Sequence, residues 1–357
     1  MAVTITHFDC LSDGRKVDKI VLTNNNGTSV SVLTLGASLQ GFCYAGKDIV
    51  LGFDKAEHYF ASGAYIGATV GRVCNRTADG RFELAGKTYE LACNEPDRRV
   101  HLHGGMVGFD KKVWEYATLN ESDNPCVSFT TISPDGEEGY PGTLNVRVDY
   151  TLTEDNELVL DYKVTTDEDT PVNMTNHAYF NLNGCDGASV HNNVLQLFAA
   201  EYTPVNERLI PTGEYASVEN TAIDFRNPKP IGDALNNEDA SMAYTGGVDH
   251  NFVLAHSRPQ MMEAAVAYSP STGIRLECET DLPGIQVYTG NFLDEPGGKY
   301  GLKWGKHQGF CLETQFFANS VNQQNFPSII LKAGETFNSR TVYRVSRVTD
   351  EEGSVCE

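Results

Sequence analysis

The sequence predicts an all-β protein with little helix, on three observations. Short apolar or alternating runs recur at intervals of roughly 10–15 residues. Turn signals built from Gly, Pro, Asn and Asp separate them. No long segment carries a 3.6-residue apolar period. Such spacing favours antiparallel strands over alternating strand–helix units.

Taken in order, Asp13-Gly14, Asn26-Gly27 and Ala45-Gly-Lys-Asp48 punctuate strands at Lys19–Thr23 and Ser29–Leu35. Asp54–Phe60 is expected to form one helical turn. Arg81–Leu91 reads as a hairpin turning at Ala85-Gly86. A meander follows, with strands at Trp114–Leu119, Val127–Ser133, Thr143–Thr153 and Leu158–Thr165. Val194–Phe198 is strand-like, and Glu201–Ser217 is a polar loop. Ala264–Ser269 and Gly273–Thr280 bracket a turn, and Ile329–Lys332 and Arg340–Val348 close the chain.

Composition bounds the function. A chain of 357 residues can bury a sizeable core without disulfides or metal staples. Its 27 Lys and Arg against 48 Asp and Glu give a formal charge of −21, which opposes nucleic-acid and anionic-membrane partners. That field neither helps nor hinders a neutral ligand. The nine cysteines are odd in number and form no C-x-x-C pair, as expected for free thiols in a reducing compartment. No charged segment followed by an apolar run opens the chain, and no apolar stretch of about 18 residues occurs, so neither a signal peptide nor a membrane span is expected. Together these point to the cytoplasm, where the sequons at Asn75 and Asn173 would go unused.

Candidate functional residues stand out against this background. Pro171–Gly184 is predicted as a strand with an apolar face and a face of Asn173, Thr175, His177, Tyr179 and Asn181. Asn, His and Tyr side by side suit a cleft for something rich in hydroxyls. A buried, hydrogen-bonded core histidine is the bland alternative. Asn75-Arg76 ends a run of small residues, where an arginine fork could meet sugar or carboxylate oxygens or simply lie at the surface. His101 and His103 would share a strand face, so a metal pair is considered, but no third ligand of matching type stands nearby. Gly104-Gly105 permits a sharp turn beside His103. Asp249 precedes an apolar strand and could be no more than an Asx turn. Gln286 and Tyr288 share one face of Pro283–Asn291. Glu313 interrupts the apolar run Gly309–Phe317, and a glutamate there is expected to be paired or functional.

Six segments, in order, carry a resemblance to the aldose 1-epimerases. They are Gly71-Arg-Val-Cys-Asn-Arg76; Leu102-His-Gly-Gly105 with Gly108-Phe-Asp-Lys111 and Trp114; Val172-Asn-Met-Thr-Asn-His-Ala-Tyr-Phe-Asn-Leu182; Asp249-His-Asn-Phe252; Gln286-Val-Tyr-Thr-Gly-Asn-Phe292; and Leu312-Glu-Thr-Gln315. The resemblance implies a β-supersandwich of large antiparallel sheets in one domain over residues 1–349, with Asp350–Glu357 as a frayed tail. It implies Glu313 as general base, His177 as general acid and His103 as a second active-site histidine. Asn75, Arg76, Asp249 and Gln286 would contact the sugar. Thr77 and Ala333-Gly-Glu335 depart from the family's pattern, outside the catalytic positions.

The implied chemistry interconverts the α and β forms of free aldohexoses such as galactose and glucose. Ring opening needs a base at the C1 hydroxyl and an acid at the ring oxygen. Glutamate and histidine, with reference pKa values of ~4.3 and ~6.5, suit those tasks without a metal or other cofactor. A glycoside hydrolase would use two carboxylates and leave His177 without a part. A hexose-phosphate epimerase would need a basic pocket, and a sugar-binding protein or sensor would keep Arg76, Asp249 and Gln286 and lose His177 or Glu313. A monosaccharide is thus the expected partner, for a monomer or homodimer.

Overall fold

The computed structural model describes residues 2–119, 124–237 and 239–348; the tail Asp350–Glu357 lies outside them. Three large antiparallel sheets carry the architecture. A five-stranded sheet follows chain order through Ala2–Cys10, Lys16–Thr23, Ser29–Leu33, Ser38–Tyr44 and Lys47–Asp48. A nine-stranded sheet holds the meander, Glu115–Thr118, Cys126–Ser133, Leu144–Leu152 and Glu157–Thr166. It continues through the last strand, Thr336–Arg347, and then Ile274–Thr280, Met262–Tyr268, Val194–Leu197 and Lys229–Pro230. A six-stranded sheet runs Tyr179–Phe180, Phe310–Gln315, Gly284–Tyr288, Asp249–Val253, Glu201–Tyr202 and Ala216–Ser217. Helices are short, Ala56–Ala61 and Ile231–Leu235, the first close to the expected helical turn.

Alternation explains the layers. Along Leu144–Leu152, Val146, Val148 and Tyr150 are buried, while Arg147 and Asp149 pair at 2.6 Å on the outer face. The buried set joins Ile20, Val30, Leu312, Ile285 and Tyr343 in one core shared by all three sheets. Burying each such side chain is worth roughly 1.5–3 kcal/mol, whereas an exposed ion pair is worth about 0–1. The core therefore holds the sheets together, and the outer charges keep that face solvated.

The six-stranded sheet is buried on both sides. Phe310 and Leu312 face the core, and Cys311 and Glu313 face the other way. Register then sets two neighbouring rows across the strands. Asp249 pairs with Tyr288, Tyr288 with Cys311, and Cys311 with Tyr179. In the adjacent row Asn251 pairs with Gln286 and Gln286 with Glu313.

Pro171–Gly184 is not one strand. Its pieces Thr170–Pro171, Thr175–Asn176 and Tyr179–Phe180 pair with three different partners. Between them, asparagine side chains replace the missing ladder. Asn173 accepts from Phe316 N at 2.9 Å and donates to Phe316 O at 3.0 Å. Asn176 donates to Gly67 O, and Asn181 to the carbonyls of Ala188 and Gln308. Buried backbone groups need such partners, so these asparagines serve the fold rather than a cleft.

Candidate active site

A cavity of about 310 Å³ opens over the outer face of the six-stranded sheet. All seven sequence-predicted residues line it: Asn75, Arg76, His103, His177, Asp249, Gln286 and Glu313. The sheet supplies the last three from its two paired rows. The turn after Thr69–Val70 supplies Asn75, the strand Arg76–Ala78 opens with Arg76, and the segment crossing between sheets supplies His177.

His101 and His103 do not form the metal pair considered from spacing. His101 ends up in the strand Val100–Leu102, donates Nδ1–H to Ala92 O at 2.8 Å and lies edge-on to Tyr140. His103 stands past the strand end in a left-handed conformation, φ +50, which breaks the alternation and sends its ring into the cavity. Gly104 makes that turn possible. Its φ is +88, and a Cβ there would stand 1.9 Å from Gly71 O.

The two cavity histidines are held differently. The backbone N–H of Asn75 donates to His103 Nδ1 at 3.2 Å. An accepting Nδ1 leaves the neutral ring its proton on Nε2. Burial, aided by His177 and Arg76, pushes the His103 pKa well down, so it stays neutral and presents an N–H. Asn75, at φ +60, supplies that amide while its own carboxamide oxygen accepts from Arg76 N at 2.8 Å. Its NH₂ is left to face a ligand.

His177 sits 3.6 Å from Glu313, Nε2 to Oε1, with both side chains almost fully buried. Its ring stacks on Tyr179 at 5.0 Å and lies 6.1 Å from Tyr65 in a near-parallel arrangement. Burial lowers His177 to about 4, and burial followed by the charge of Asp249 raises Glu313 well above the carboxylate range. Neither group is stable charged alone. The pair is best described as holding one proton, as carboxylate and imidazolium or as carboxylic acid and imidazole. Glu313 Oε2 is buried without a hydrogen-bond partner among the described residues, and Glu313 lines the cavity.

Polar groups frame this pair. Gln286 Nε2 donates to Asp249 Oδ1 at 2.6 Å, and Arg76 Nε donates to Glu95 Oε2 at 2.9 Å. Glu95 also pairs with Arg98. Sequence reasoning missed Tyr65, Glu95 and Arg98, which line the cavity and are joined to the site only by tertiary packing. No local pattern marked them.

His103, His177 and Glu313 place one donor atom each within 4.8 Å of one another. A ligating histidine normally donates its other ring N–H to a partner. His103 does the reverse, accepting at Nδ1, so its Nε2 carries a proton rather than a free lone pair. The trio therefore fits hydrogen bonding to a ligand better than metal coordination.

The family profile described as "Aldose 1-epimerase" matches residues 18–344. The chain belongs to the aldose 1-epimerase family. Relatives of this epimerase include the galactose mutarotase of Bos taurus, 43% identical over 97% of this chain and 95% of that protein. The aldose 1-epimerase of Escherichia coli K12 is 35% identical over 93% and 96%. The crystal structure of galactose 1-epimerase from Lactobacillus acidophilus NCFM superposes with a TM-score of 0.85 at 30% identity, covering 98% of this chain and 99% of that one. As an aldose 1-epimerase the chain is an isomerase that interconverts aldose anomers. Thr77, one departure from the family's pattern, is buried opposite His101 and does not line the epimerase cavity.

Proposed function

We propose that Glu313 and His177 carry out ring opening and closure of free aldohexoses, galactose and glucose among them. The observation that supports this most is the buried 3.6 Å Glu313–His177 pair at the base of a polar cavity. Glu313 accepts the C1 hydroxyl proton while His177 Nε2–H protonates the ring oxygen. The ring C1–O5 bond breaks and a C1 aldehyde forms. Rotation about C1–C2 exposes the other carbonyl face, and the two groups close the ring with roles exchanged. Opening thus converts carboxylate plus imidazolium into carboxylic acid plus imidazole, the two states between which burial has already levelled the pair. Tyr179, stacked on His177, favours the imidazolium through its ring face. His103 contributes a fixed N–H, and Arg76, Asp249, Gln286 and the NH₂ of Asn75 bind hydroxyls. Acid–base chemistry of this kind calls for no metal or nicotinamide.

Charge supports neutral sugars over sugar phosphates. The cavity lining holds two arginines, Arg76 and Arg98, against four carboxylates, Glu95, Asp249, Glu295 and Glu313. Both arginines are already paired to Glu95. A phosphate would find no uncommitted cation among the described cavity residues, so the protein should accelerate mutarotation of galactose and leave galactose 6-phosphate near its spontaneous rate. Faster turnover of the phosphate ester than of galactose would reverse this reading. Among the described residues no helix is long and apolar enough to cross a membrane. All eight described cysteines are free, in keeping with residence in the reducing cytoplasm.

Two measurements probe the roles. The one-proton pair predicts a bell-shaped pH profile. Below about 4, a second proton reaches His177 while Glu313 stays protonated, and the base is lost. As pH rises through the raised Glu313 value, the single proton leaves and the acid is lost. A rate that climbed steadily with pH would show simple carboxylate catalysis instead. Arg76→Lys removes the planar fork while keeping the charge, so KM should rise about tenfold with kcat little changed. A fall in kcat alone would move Arg76 from binding to transition-state stabilisation.

A further inference from the structure

We infer that Cys311 is a positioning residue for the reaction, whose thiol holds the His177 ring and lets it pass between neutral and doubly protonated forms. This rests on His177 as the acid. Cys311 Sγ lies 3.6 Å from His177 Nδ1, on the side of the ring away from Glu313. The thiol is fully buried and two residues before Glu313 on the same strand face. Its cross-strand neighbours are Tyr179 and Tyr288, and both of those rings lie against His177. One short strand therefore sets the base, the ring's support and the ring's partner together.

The other groups around His177 are Glu313 on the Nε2 side, Tyr65 and Tyr179 along its faces, and His103 and Tyr288 at its edges. Among these described side chains, Cys311 is the one within hydrogen-bond reach of Nδ1. The comparison with His103 shows why that matters. An amide N–H at Nδ1, as His103 has, forbids a second ring proton. A carboxylate at Nδ1 would hold the second proton and make Nε2–H a weak acid. An aliphatic side chain would leave the charged ring no side-chain partner there, only its contact with the carbonyl of His177 itself. A thiol is both a weak donor and a weak acceptor, so it accompanies the ring through both states without fixing either. In the opening step the C1–O5 bonding pair moves to O5, which takes the Nε2 proton. Glu313 takes the O1 proton as the C=O bond forms, and the remaining ring proton stays on Nδ1, donated to the Cys311 sulfur.

Cys311→Ala and Cys311→Ser test this by polarimetric rates across pH, with thermal melting to confirm the fold. Cys311→Ala should lower kcat about tenfold with KM within about twofold, and move the acid limb to lower pH. Cys311→Ser, which restores a donor and acceptor, should recover most of that rate. An unchanged kcat and pH profile in Cys311→Ala, or a serine variant no better than alanine, would reduce Cys311 to packing. Histidine ¹⁵N NMR of the sugar-free protein tests the contact without any activity. The His177 Nδ1 resonance should shift in Cys311→Ala while that of His103 does not. An unmoved His177 signal would overturn the inference, whereas a shift in a protein that failed to mutarotate would leave the contact standing and count against the acid role instead.

Discussion

Glu313→Gln is expected to lower kcat by about 10³–10⁴-fold while leaving sugar affinity and thermal stability close to the parent's. Gln keeps the shape and the hydrogen-bonding edge of the side chain. It cannot take the C1 proton, and it ends the proton sharing with His177. Glu313 is buried with Oε2 unpartnered, so the amide meets no charge that would be left stranded. Polarimetric initial rates give kcat, and calorimetry with galactose gives affinity. A variant that turned over within about tenfold of the parent would remove Glu313 from the base role.

His177→Asn should cost about 10²–10⁴-fold in kcat, and His103→Asn clearly less. The difference follows from the hydrogen bonds at Nδ1. His103 accepts from Asn75 N and is a fixed donor at Nε2, a role an asparagine NH₂ can partly fill. His177 faces Cys311 and Glu313 and, on the proposed roles, is the ring that releases and recovers a proton. Side-by-side pH profiles of the two variants check this. His177→Asn should lose the bell shape, because the pair no longer titrates as a unit, and His103→Asn should keep it. The opposite ordering would assign the acid role to His103.

Much of the site was legible because its chemistry violates local expectation. A glutamate inside Phe310–Phe317 conflicts with the cost of burying a charge, and the structure places Glu313 at 2% exposure facing the cavity. His177 stood out for a similar reason. Arg76, Asp249 and Gln286 carried no such signal and rested on the family resemblance, since an arginine at a strand end or an aspartate after glycine is ordinary. Glu95, Arg98 and Tyr65 come from loops far from the catalytic strand in sequence, and only packing brings them in. The turn at His103–Gly105 shows the limit of periodicity. Two residues apart meant one face on paper, but a left-handed φ at His103 separated the two histidines.

The fold divides along the same line. Strands whose alternation reflects one buried face, such as Leu144–Leu152 and Glu157–Thr166, fall close to their expected limits. Pro171–Gly184 alternates for a different reason. Its asparagines satisfy backbone groups of neighbouring segments, and that pattern mimics a polar strand face. Sheet order was beyond local reading. Thr336–Arg347 inserts between Glu157–Thr166 and Ile274–Thr280, a pairing that depends on how the core closes.

The most direct test is the optical rotation of freshly dissolved α-D-galactose and α-D-glucose with and without the protein. The account predicts a faster approach to the same final rotation for one or both sugars, and loss of that acceleration in Glu313→Gln. A rate indistinguishable from the spontaneous one, at protein concentrations where calorimetry shows sugar bound, would contradict it and leave a protein that binds sugar without opening the ring.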